Sequence, residues 1–296
     1  VSEYRARRAA RHESMQIRGL SMHVRRWGPE STRSDPPLLF LHGWQDTGDT
    51  FQFLVDALER DWPVLAPDWR GFGRSEWPQQ GYWFQDYFAD LDRLIDAVAE
   101  GPVRLIGHSM GGNIASIYAG VRPERVRSVV NLEGVGLPRT DPAQAPARLR
   151  QWLEQTRTIP PLKHYASFDE LARVIATRFP RFGAARARFV AEAWAQRAAD
   201  GSVHLLGDAR HRWVNPVLYK REDAEACWKQ VRAPMLMVLG GLSDLPGKLG
   251  ADGTPEALTA LVQGMRVESI SEAGHMMHIE APDRVAALIE PFLAAH

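Results

Sequence analysis

Gly107-His108-Ser109-Met110-Gly111 lies between an apolar run, Val103-Arg104-Leu105-Ile106, and a small-residue helical stretch, Gly112 to Ala119. A serine on such a strand-to-helix turn projects its hydroxyl out of the sheet, and glycines two positions to either side leave room for neighbouring backbone. Ser109 is therefore a candidate nucleophile. Attack on a carbonyl also needs a base, an acid to orient that base, and N–H donors for the developing oxyanion. Taken in the order serine, acid, histidine, the base is His275, on the loop Glu272-Ala273-Gly274-His275 that precedes a helix opened by Ala281-Pro282-Asp283. His278 competes three residues later, but it leads into a helix and is expected to pack or cap locally. Asp244, just past the glycine turn that ends Met235 to Leu239, is taken as the acid. A loop aspartate making only a local turn would look the same. Glu133, at the end of Val129-Val130-Asn131-Leu132, is its rival. The oxyanion donors are expected to be the backbone N–H groups of Met110, which opens a helix, and Trp44, where Gly43 lets the chain turn inward after His42. The Trp44 indole is placed to line the pocket, and His42 to hold its loop. A base must be neutral to take a proton, so activity is expected to rise with pH through neutrality.

These residues need strand ends to stand on. Met15 to Arg18 and Met22 to Trp27 alternate around Gly19-Leu20 and predict an opening hairpin. Continuous apolar runs at Pro37–Leu41, Trp62–Ala66, Val103–Ile106, Val126–Leu132, Pro234–Leu239 and Met265–Ile270 predict buried strands. Helical patterns fall between or after them, at Phe51–Leu58 and over 85–99, 111–121, 255–262 and 282–294. Such alternation implies a mostly parallel sheet covered by helices, with chemistry at the carboxyl ends of the strands. From Gly134 to Trp228 the strand runs vanish and amphipathic helices are predicted at 144–157, 168–178 and 184–199. This window is expected to be an inserted helical cap, on a core made of 1–133 and 229–296. Its 15 Lys and Arg against 10 Asp and Glu make it mildly basic, which is the signature of a solvated face. Trp152, Trp194, Trp213 and Trp228 give it enough apolar surface to roof a pocket.

With 296 residues the chain can bury one large core plus a lid. Lys+Arg and Asp+Glu are 36 each, so there is no electrostatic footprint for nucleic acid, and a small-molecule partner is expected. Cys227 is the only cysteine, which excludes an intrachain disulfide and fits a reducing cytoplasm. Val1 to Gln16 has four arginines and no apolar core, so it reads as a solvated arm rather than a secretory signal. No apolar run approaches membrane-spanning length, and no stable membrane insertion is expected. The loop Asp68 to Ser75 lacks ligand partners at metal spacing and reads as structural. No His-Glu-x-x-His or Gly-x-x-x-x-Gly-Lys string occurs, so neither a metal nor a cofactor is expected.

His42-Gly43-Trp44, the Asp68 to Ser75 loop, Gly107 to Gly112, Gly240 to Asp244, and Gly274-His275 with Glu280-Ala281-Pro282 together resemble the α/β-hydrolase superfamily. The chain is similar to its capped esterases and serine hydrolase-like proteins. The resemblance implies a small-molecule carboxylic ester hydrolase working through an acyl-enzyme. The same triad also serves carbon–carbon bond hydrolases and thioesterases, and a hydrolase scaffold can act as a ligand receptor with little turnover. Epoxide hydrolases and haloalkane dehalogenases of similar pattern carry Asp at the nucleophile position, and Ser109 argues against both.

Overall fold

Residues 3–296 are described here from a computed structural model. The opening hairpin is β1 (Arg11–Ile17) and β2 (Leu20–Trp27), followed by β3 (Leu38–Leu41), α1 (Gln52–Ala57), β4 (Val64–Pro67), α2 (Phe84–Val98), β5 (Val103–His108), α3 (Met110–Val121) and β6 (Val126–Leu132). After β6 come α4 (Ala145–Gln155), β7 (His164–Tyr165), α5 (Phe168–Arg178), α6 (Gly183–Trp194), β8 (Ala195–Arg197), β9 (Val203–Leu205) and α7 (Arg221–Trp228). The chain ends with β10 (Met235–Gly240), α8 (Pro255–Thr259), β11 (Arg266–Ile270), the single turn α9 (Met277–Glu280) and α10 (Pro282–Ala295).

The apolar runs become the middle of one eight-stranded sheet of order β1-β2-β4-β3-β5-β6-β10-β11. β1 to β2 and β2 to β4 are antiparallel, and the remaining pairs are parallel. A strand covered on both faces has no place for a polar side chain, which is why β3, β4 and β10 are buried along their whole length. Each sheet face seats its own apolar cluster. One gathers Leu39, Leu41 and Leu105 with Leu91 of α2 and Ile114 of α3, and the other gathers Phe40, Ile106 and Val130 with Val285 and Ile289 of α10. Because the parallel strands all run the same way, the loops after β3, β5, β6, β10 and β11 open on one edge.

The segment expected to be purely helical also contains a small antiparallel sheet, β7-β9-β8. Its strands have two or three residues, too few for a period of two to show in a sequence. The helix expected over 184–199 accordingly ends at Trp194, and the chain turns into β8. Tyr165, Leu171, Ile175, Val190 and Val203 form a third apolar cluster, closed underneath by Phe53 and Met276. α7, expected within the cap, packs on α3, and its Ala224 and Trp228 belong to the first apolar cluster. Among the described residues no helix is long and apolar enough to cross a membrane.

Candidate active site

Ser109 stands between β5 and α3 at φ 52° and ψ −114°, a backbone conformation that costs on the order of 1–3 kcal/mol for a residue with a Cβ. The surrounding sequence is built to hold it. A Cβ on Gly107 would collide with the Gly111 carbonyl, and one on Gly111 would collide with the carbonyls of Leu41 and His42. The Ser109 N–H donates to the Leu132 carbonyl at 2.9 Å, tying the turn to the end of β6. The turn is thereby fixed by three strands before any substrate arrives.

His275, on the loop between β11 and α9, brings Nε2 to 3.0 Å from the Ser109 hydroxyl, which can donate to it. On the other side of the ring, Nδ1 donates to Glu133 Oε2 at 2.6 Å. Glu133 is fully buried and has a positive φ of 59°, which turns its carboxylate back under the histidine. Its two oxygens are satisfied by three donors: the Gly240 N–H at 2.8 Å, the Ser243 hydroxyl at 2.8 Å and the imidazole.

Asp244, expected to be the acid, does not meet His275. Its side chain is 80% exposed and pairs with Lys248 at 2.7 Å, and that partner holds its carboxyl below the usual carboxylate range. The correction is one of adjacent strands. β6 and β10 are neighbours, so both of their ends lie near the base, but Asp244 is four residues beyond β10 on a loop that rolls outward. Glu133 follows β6 without a gap. A carboxylate joined directly to an all-buried strand end is the signal that separates the two.

His278, the rival base, is fully buried and faces Asp46 at 3.5 Å and Thr50 at 3.4 Å. His108 lies between the two histidines, its Nε2–H donating to the His275 carbonyl at 2.9 Å. Asp46, His108 and His278 are the described ligand-type side chains that come closest to forming a cation-sized group. Asp46 already accepts from the Trp194 indole at 2.7 Å and the Thr50 hydroxyl at 2.9 Å, so it ties the end of α6 to the loop after β3. Burial pushes its carboxyl up, but bonds from His278 and Trp194 outweigh that and hold it low.

The loop after β3 packs directly on the nucleophile turn, Gly43 lying against His108 and the Ser109 Cβ. His42 holds this loop, donating from Nδ1 to the Gly43 carbonyl at 2.7 Å and accepting the Trp69 N–H on Nε2 at 2.9 Å. The backbone N–H groups of Trp44 and Met110 have no protein acceptor among the described residues. Asp68 is structural. It is fully buried and accepts from His23 at 2.9 Å, Arg25 at 3.2 Å and the N–H groups of Gly48 and Arg74 at 2.8 and 2.9 Å.

Two cavities, of about 430 and about 1360 Å³, open beside Ser109. The smaller one lies under α5 and reaches Tyr165, Ile175 and Phe179. The larger one runs beneath α4 and is walled by Phe88, Ile117, Trp152 and Trp213. Four residues border both: Trp44, Ser109, His211 and His275. Sequence reasoning passed over His211, which has no motif around it.

Several known proteins are similar to this chain. The chain is similar to a serine hydrolase-like protein of Danio rerio, 27% identical over 97% of this chain and 89% of that protein. It is also similar to 2-(acetamidomethylene)succinate hydrolase of Mesorhizobium japonicum, 27% identical over 93% of this chain and 92% of that one. Its backbone resembles the thioesterase domain from the curacin biosynthetic pathway, with a TM-score of 0.83 at 23% identity, covering 95% of this chain and 99% of that domain. Family and relatives alike support a hydrolase. The model for the alpha/beta hydrolase fold matches residues 36–282, and the chain belongs to that family.

Proposed function

We propose that this protein is a serine hydrolase that cleaves a small-molecule carboxylic ester through an acyl-enzyme. The observation that carries this reading is the unbroken series of contacts from the Ser109 hydroxyl through His275 to Glu133. In the first step the hydroxyl oxygen bonds to the substrate carbonyl carbon while His275 Nε2 takes the proton. The carbonyl oxygen becomes an oxyanion, and the free N–H groups of Met110 and Trp44 are the donors available to it. As the tetrahedral centre collapses, the bond to the leaving oxygen breaks and His275 returns its proton to that oxygen. Water repeats the cycle on the ester of Ser109 and releases the acid. Glu133 fixes the ring orientation and faces the imidazolium formed at each transfer.

The test is a labelled fluorophosphonate together with p-nitrophenyl esters, applied to the wild type and to Ser109→Ala. The wild type is expected to label once and turn over many equivalents, and the variant to do neither. A protein that released a single equivalent and stopped would be a receptor on a hydrolase scaffold. Label retained in Ser109→Ala would move the nucleophile elsewhere.

A further inference from the structure

Of the four residues that border both cavities, three are the proposed nucleophile Ser109, its base His275 and the proposed oxyanion donor Trp44. The fourth, His211, comes from the cap side, in a short 3-10 turn, Ala209–Arg212. A substrate with an arm in each cavity must place its scissile group where the cavities meet, and His211 lines that space together with Ser109 and His275.

Its surroundings hold it rigidly. The ring is stacked face to face between Phe72, at 3.8 Å and 8°, and Tyr82, at 3.6 Å and 25°. Asp208, just before the turn, accepts the Tyr82 hydroxyl at 2.7 Å and the Arg210 guanidinium at 2.7 Å, and its N–H donates to the Gly71 carbonyl at 2.9 Å. The Phe72–Gly207 bridge pins the same segment to the loop after β4. Nε2 is buried beside Gly71 without an aligned partner, which leaves Nδ1 as the nitrogen that can reach a ligand. Burial pushes the ring down to about 3, so it is neutral around neutral pH. A neutral imidazole clamped between two aromatic faces loses little freedom when it makes a hydrogen bond.

We propose that His211 is a substrate-binding residue that donates one hydrogen bond, from Nδ1–H on the cap side, to an oxygen of the scissile group of a substrate whose two unequal arms occupy the two cavities. This rests on the hydrolase reading above. The probe is p-nitrophenyl butyrate, with kcat and KM measured across pH for the wild type and for His211→Phe, His211→Gln and His211→Leu. His211→Phe keeps a flat aromatic ring in the stack and removes both nitrogens. The expected result is a kcat/KM about tenfold lower or more in His211→Phe and His211→Leu, the scale of one lost hydrogen bond. His211→Gln, whose amide can donate or accept, should recover at least a few-fold of that loss, and the acid limb of the pH profile should not move. If His211→Phe melts as an unfolded chain, the comparison of His211→Gln with His211→Leu decides alone. Turnover within about threefold of wild type in both His211→Phe and His211→Leu overturns this inference and leaves the hydrolase reading standing. A wild type that neither turns over nor labels at Ser109 overturns both.

Discussion

Glu133 shares its carboxylate among an N–H, a hydroxyl and the imidazole, whereas Asp244 spends its own on Lys248 in solvent. An amide in place of Glu133 would still fit the cavity but could not oppose the imidazolium, and it would present its NH₂ to a ring that needs an acceptor. Glu133→Gln is therefore expected to lower kcat by about 10³- to 10⁴-fold, as removal of a triad carboxylate does elsewhere. Asp244→Asn should change kcat by no more than about twofold, the scale of an ordinary surface substitution. Steady-state kinetics on one ester checks both, and the opposite ranking would restore Asp244. The nucleophile turn is legible in the sequence because everything that makes it is local: an apolar strand, Ser109 and two glycines within five residues. The acid is not local. Glu133 and Asp244 lie 111 positions apart on adjacent strand ends, and the choice between them depends on a backbone turn at φ 59° that no spacing records.

The core strands and most helices are similarly legible because each fills a long, one-sided or wholly apolar pattern. β7, β8 and β9 are not, since strands of two or three residues are too short to show a residue period. One element-scale device escapes sequence reasoning altogether: the charged knot that fastens the hairpin to the loop after β4. Asp68 sits among His23, Arg25 and two backbone N–H groups, and Arg25, only 1% exposed, also pairs with Asp49. Burial pushes the Asp68 carboxyl up, yet His23 and Arg25 outweigh that and hold it below the ordinary range. Removing one member leaves a buried cation underpaired, which costs on the order of 3–5 kcal/mol. Asp68→Ala is expected to lose that much in urea unfolding. A loss below about 1 kcal/mol would show that water or rearrangement relieves the knot.

At the scale of the whole molecule, the fold buries three imidazoles, His42 and His108 at the sheet edge and His211 in the turn Ala209–Arg212, and keeps them neutral at pH values where the unfolded chain protonates them. Burial lowers the pKa of His42, His108 and His211, well below the ordinary imidazole value for His108 and to about 3 for His211. An unfolded chain protonates these rings near pH 6.5, so below that value the unfolded state binds more protons than the native one. The sign follows. Their share of stability is fully present above about pH 6.5 and is lost as the pH falls, at about 1.4 kcal/mol per pH unit for each ring that stays neutral when folded. Asp46 and Asp68, whose carboxyls are held low, lose their share only when the pH falls below the ordinary carboxylate range of about 4, leaving the window from pH 6.5 to 5 to the histidines. Urea unfolding at pH 7.5, 6 and 5 should therefore show a plateau and then a decline. His211→Phe should shallow that decline by about one proton, because a phenyl ring titrates in neither state. A stability that stayed level from pH 7.5 to 5 would mean that the rings take up protons in the folded protein, and the neutral imidazole assigned to His211 would go with them.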